Sequence, residues 1–184
     1  MKVSVKKLTL MAVLTAVALI IFVIEAQIPL PLPVPGAKLG LANAVTLFAL
    51  FHGRTKIKNT ASPRQSGYDL SAADAFMILV CRIILGAVFT GRIVAFFYSI
   101  AGGLLGFAAQ ATMKRFVSDK QIWVCGAIGA VFHNVGQIIA AMLITGTPAI
   151  AAYLPVLVIA GLITGVITGL IAQITLNRIG RKIN

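Results

Sequence analysis

Acidic side chains are nearly missing from this chain. Its 184 residues carry four, Glu25, Asp69, Asp74 and Asp119, against sixteen Lys and Arg. So few carboxylates leave almost no ligand set for Mg²⁺-dependent chemistry on a diphosphate. Cysteine is as scarce: Cys81 and Cys125 both fall in apolar runs, form no CxxC, and read as small core residues. The Walker loop, HExxH and GxSxG patterns are all missing, and so is any aspartate-rich motif. The expectation is therefore a protein that is no enzyme, with no catalytic residues, no metal site and no cofactor. Without an ATP-binding element, any powered transport needs another chain. Charge of either sign is low, at 11%, where a soluble domain carries roughly a quarter.

What fills the chain is apolar: 59% of residues are hydrophobic and the mean hydropathy is +1.00. A transmembrane helix needs about 20 such residues. Six spans are expected in a single domain covering residues 1–184, at Leu8–Gln27, Leu39–Phe51, Ala72–Phe89, Ile93–Met113, Ile122–Thr145 and Tyr153–Leu176. The start, MKVSVKK before an apolar run, imitates a signal peptide, but no AxA-type cleavage site follows and it reads as a retained helix.

The cations orient the spans. Lys2, Lys6 and Lys7, then Arg54, Lys56, Lys58 and Arg64, then Lys114, Arg115 and Lys120, then Arg178, Arg181 and Lys182 make thirteen of the sixteen on one side. Lys38 and Arg92 fall on the other, and Arg82 lies inside the third span. The positive-inside rule then puts both termini in the cytoplasm. The same rule accounts for the basic excess, so nucleic acid is not an expected partner; the lipid bilayer is. His52–Ser71 reads as a polar cytoplasmic loop. The connections on the far side are different: Ile28–Lys38 holds four prolines and Gly146–Ala152 holds no charge, so both read as lids over the outer mouth.

A few polar residues break the apolar pattern. PVPGAKLGLAN, Pro33–Asn43, brings Lys38 to the edge of a span, followed by Gly40 and Asn43. Arg82 sits midway along the third span, where a guanidinium needs an acid or a bound anion. Glu25, near the outer end of the first span, is the best protein partner for Lys38 or Arg82, so either a structural ion pair or substrate contact by these cations is expected. In the fifth span His133, Asn134 and Gln137 are spaced to share a helical face, about 16 Å in from the end for His133. They serve either as hydrogen-bonding glue between helices or as ligand contacts. Small residues recur every fourth position: Ala12 and Ala16; Gly102 and Gly106; Gly126, Ala130 and Asn134; Gly161, Gly165 and Gly169. The later rows suit packing within the bundle, while Ala12 and Ala16 could face a partner.

PVPGAKLGLANAVTLFAL, RIILGAVFTGR, FYSIAGGLLG, GAVFHNVGQ and YLPVLVIAGLITGVITG together resemble the Gx transporter family, also labelled heptaprenyl diphosphate synthase component I. That family is related to the substrate-binding S components of energy-coupling factor transporters. The stretch Arg54–Asp69 looks longer than is usual for it. The resemblance implies an all-α integral membrane protein with a six-helix S-component-like bundle in a prokaryotic plasma membrane. It implies capture of a small, vitamin-like molecule from outside, and association with a transmembrane T subunit and two ATPase subunits, often through an AxxxA row that Ala12 and Ala16 match. The expected substrate-lining set is Lys38, Asn43, Arg82, His133, Asn134 and Gln137, with Glu25 balancing charge, in a pocket that opens outward; the basic pair favours an anionic or carbonyl-rich ligand. The alternative is an accessory membrane subunit of isoprenoid or quinone biosynthesis, for which a lipid-open lateral groove would speak.

Overall fold

The computed structural model describes residues 4–28, 38–57 and 70–182, with side chains left aside at 53–57 and 180–182. The Pro-rich lid at 29–37 and most of the expected cytoplasmic loop, 58–69, lie outside the described residues. Six α-helices run through the rest in order: α1 Val5–Gln27, α2 Asn43–Ile57, α3 Ala72–Thr90, α4 Ile93–Met113, α5 Ile122–Thr145 and α6 Leu154–Lys182. One short 3-10 segment, Pro148–Tyr153, precedes α6. All but α2 are long and apolar enough to cross a membrane. The apolar part of α2 ends at His52, and the helix starts at Asn43 rather than at the expected Leu39. The delay comes from Gly40, whose φ of +80° turns the chain through a conformation that a side chain would strain.

Burial is inverted relative to a soluble protein. Large apolar side chains point outward, Leu143 at 79% exposure and Val88 at 74% among them, while Glu25, Lys38, Arg82, His133, Asn134 and Gln137 are buried. Only a hydrocarbon surround makes this arrangement favourable, since lipid takes the apolar faces and the polar groups must satisfy one another inside. The chain is an all-α membrane bundle.

Local signals set the helix ends. Ser71 and Asp74 form a capping box, in which the Ser71 N–H donates to Asp74 Oδ2 at 2.6 Å and the Asp74 N–H donates to Ser71 Oγ at 3.3 Å. The Lys7 ammonium lies 2.7 Å from the same carboxylate, tying the start of α1 to the start of α3. At the far end of α4, Lys114 Nζ donates to the Leu50 carbonyl of α2 at 2.6 Å. These links place alternate helices parallel, as an up-and-down chain requires.

Helices α4, α5 and α6 meet backbone to backbone. A methyl group built on Gly126 would lie 2.5 Å from the Gly165 carbonyl oxygen, and one on Gly165 would lie 2.7 Å from the Ala127 Cα. Where α5 meets α4, a methyl on Gly106 would lie 2.8 Å from the Gly129 carbonyl. The small-residue rows of these three helices are thus used within the bundle. Ala12 and Ala16 of α1 are exposed. Leu47, Leu50, Phe51, Ile78, Ile122 and Leu176 form one apolar cluster, joining α2, α3, α5 and α6. Tyr98, Ile138, Ala141 and Leu157 form a second, joining α4, α5 and α6.

Because the neighbours of Gly165 are main chain and cannot swing away, Gly165→Leu is expected to cost more than the ~1–3 kcal/mol typical of overpacking. Gly91→Ala is the contrasting case. It has open space around it, and only its φ of +63° resists a side chain. Thermal unfolding in detergent checks the order: a Gly165→Leu protein no less stable than Gly91→Ala would refute the packing.

Candidate functional site

The turn after Lys38 is pinned from two sides. The Lys38 N–H donates to Gln137 Oε1 at 2.9 Å, and Gln137 Nε2 donates to the Lys38 carbonyl at 2.9 Å. One α5 side chain thereby satisfies both main-chain groups of one residue, as a neighbouring strand would. From α1, Glu25 Oε1 accepts the Gly40 N–H at 2.6 Å and Oε2 accepts the Leu41 N–H at 3.2 Å. Both oxygens accepting is the hydrogen bonding of a carboxylate.

This corrects the expected ion pair. Among the described residues the Lys7–Asp74 contact is the one ion pair within 4 Å, and Glu25 forms none with Lys38 or Arg82. The left-handed Gly40 turn presents two consecutive N–H groups to Glu25, one to each oxygen, and these fix the position of its carboxylate. The cations go elsewhere. Lys38 Nζ sits 3.1 Å above the centre of the Phe22 ring, and the Arg82 guanidinium carbon lies 5.5 Å from that centre. Arg82 Nη2 donates to Asn43 Oδ1 at 3.0 Å. Lys38 Nζ and Arg82 Nε have no hydrogen-bond partner although both residues are buried. Burial pushes the Lys38 ammonium down to about 8, with Glu25 pulling the other way.

These groups face one gap, lined by Phe22, Glu25, Lys38, Arg82, His133 and Gln137 with Tyr98 and Ser99 of α4. Its free volume is about 10 Å³, no more than one water molecule requires. At this level, beside the Lys38–Leu41 turn, the free space is too small for an organic ligand. His133 lies under the turn: a methyl on Gly40 would come within 2.9 Å of His133 Cδ2, and one on Gly102 within 2.8 Å of His133 Nδ1. Glycine at 40 and 102 makes room for the imidazole.

Asn134 is not part of this gap. Its Nδ2 donates to the Leu157 carbonyl of α6 at 2.5 Å. Successive helical residues are about 100° apart, so His133 and Gln137 face the turn while Asn134 faces α6. Asn43 stands behind the lining and holds Arg82. Sequence reasoning passed over Phe22, Tyr98 and Ser99. Phe22 is three residues before Glu25, on the same face of α1, and that spacing from the lone intramembrane acid was the available signal.

The model of the family described as heptaprenyl diphosphate synthase component I matches residues 14–60 and 66–175. The chain belongs to this family. The match takes in every residue of the gap, from Phe22 and Glu25 on α1 to Gln137 on α5. Comparisons with curated proteins and with solved structures return no match.

Removing the Gln137 side chain strands the Lys38 N–H and carbonyl inside the bundle, at about 1–3 kcal/mol for each group. In Gln137→Ala, amide hydrogen exchange over Lys38–Leu41 is expected to rise by at least about tenfold, with α6 unchanged. Equal protection in the two proteins would mean that Gln137 does not hold the turn.

Proposed function

We propose that this protein is the substrate-binding S component of an energy-coupling factor transporter, taking a small vitamin-like or redox-cofactor-related molecule from outside the cell. The observation that carries the reading is a pair of buried cationic donors without a hydrogen-bond partner among the described residues, Lys38 Nζ and Arg82 Nε, on two residues that line one small gap. A cation inside a membrane bundle is costly unless it has a use. The Gly40 and Leu41 carbonyls accept the first N–H groups of α2, while the Gln137 and Glu25 side chains tie the turn to α5 and α1; letting go of those two side chains would free the turn from its neighbours, which suits a site that admits a ligand from one end. In this reading six helices span the plasma membrane with both termini inside.

The T subunit and two ATPases supply the energy. Ala12 and Ala16 are exposed on α1, and only three α1 residues, Ala18, Phe22 and Glu25, are buried. Such a face suits close helix packing by a partner. Ala12→Leu with Ala16→Leu is expected to abolish co-purification with the T and ATPase subunits and ATP-dependent uptake in vesicles, while thermal stability in detergent stays at the wild-type value. Wild-type protein that fails to associate with such subunits would reject the reading.

A second reading has one observation in its favour. An apolar groove of about 280 Å³ runs between α1, α2 and α6, lined by Leu14, Val17, Ile21, Val45, Phe48 and Ile171. A lipid-like chain would lie there if the protein served isoprenoid or quinone synthesis as an accessory subunit. The groove shares no lining residue with the gap that holds Lys38 and Arg82, so a chain lying in it does not use those cations, and the transport reading is preferred.

A further inference from the structure

Charge and donor geometry limit what the gap can accept. Its ionic side chains are Lys38, Arg82 and Glu25, two cations against one carboxylate. Glu25 has already given both oxygens to the Gly40 and Leu41 N–H groups. The site therefore has one positive charge in excess, and its two unpartnered donors belong to different elements. Lys38 Nζ comes from the turn and Arg82 Nε from α3, and both lie against the same Phe22 ring. A group that satisfied both would carry two acceptor oxygens and one negative charge.

We infer that the site binds a small organic acid through a single carboxylate that bridges Lys38 Nζ and Arg82 Nε. This rests on the small-molecule binding proposed above and adds the charge of the molecule. A diphosphate is a poor fit, because its further charges would be buried without cations. A neutral amide of the same shape is also a poor fit, since it offers one acceptor and brings N–H groups toward two cations. The free volume of about 10 Å³ does not hold a carboxylate beside the present Lys38 side chain. Binding therefore moves the ammonium off the Phe22 face, replacing a cation–π contact with a charge-assisted hydrogen bond, the stronger of the two. Phe22 and Tyr98 remain as flat apolar walls.

The test uses purified full-length protein in detergent with named probes: acetate, benzoate and 1-naphthoate, the amides benzamide and 1-naphthamide, and inorganic diphosphate. Thermal shift and calorimetric titration report binding. The carboxylates are expected to stabilise the wild-type protein saturably, with each amide at least about tenfold weaker than its acid and diphosphate without effect. Lys38→Met is expected to lose the acid preference, while Arg82→Lys, which keeps the charge, retains part of it. Amides binding as well as acids, diphosphate binding in their place, or no probe binding would each overturn the inference. Vesicle uptake and subunit association separate this from the transport reading. Uptake without a preference for acids would sink the charge assignment alone. Acid binding without subunit association would sink the transport role alone.

Discussion

Everything in the site follows from one shortage: two cations are buried beside a single carboxylate, which lies against neither of them. Glu25 could have neutralised Lys38 or Arg82, but Gly40 turns two peptide N–H groups toward it first. Taking an ammonium out of water costs several kcal/mol even after the protein relaxes, and the Phe22 ring returns only about 1–2 kcal/mol of it. Arg82 recovers more through Asn43, yet its Nε stays bare. The fold stores an unfavourable charge where a soluble protein would let water in.

The rest of the bundle makes that placement possible. Glycine rows bring α4, α5 and α6 to main-chain contact, leaving no volume for movement there. The α1–α2 connection is held differently, by Gln137 and Glu25 acting on the peptide groups of residues 38–41. A rigid three-helix wall thus faces a turn that depends on a few hydrogen bonds. Local stability is uneven by construction, low at the turn and high where the helices interlock.

Much of this was legible in the sequence, for reasons specific to membranes. The helix bounds Ile93–Met113 and Ile122–Thr145 coincide with the expected ones because Arg92, Lys114 and Lys120 flank the apolar runs and Gly146, at a φ of +64°, stops α5. Lys38, Arg82, Glu25, His133 and Gln137 stood out because an ionisable or strongly polar residue in an apolar span is rare. Their pairing was not legible. Glu25 was matched with cations by charge, since no sequence pattern says that a φ of +80° at Gly40 will aim N–H groups at it. The three- and four-residue spacings to Gln137 group Asn134 with His133, although adjacent helical residues diverge by about 100° and the Asn134 partner is the Leu157 carbonyl. Phe22 is one apolar residue among many, marked only by its three-residue spacing from Glu25.

The most direct measurement of the central claim is the thermal stability of Lys38→Met protein in detergent. If Lys38 is an uncompensated cation kept for binding, methionine fills the same space without the charge, and the melting temperature is expected to hold or to rise by several degrees. A fall of more than about 5 °C, on the order of 1–2 kcal/mol for a chain of this size, would show that the ammonium on Phe22 stabilises the fold, and would contradict the claim.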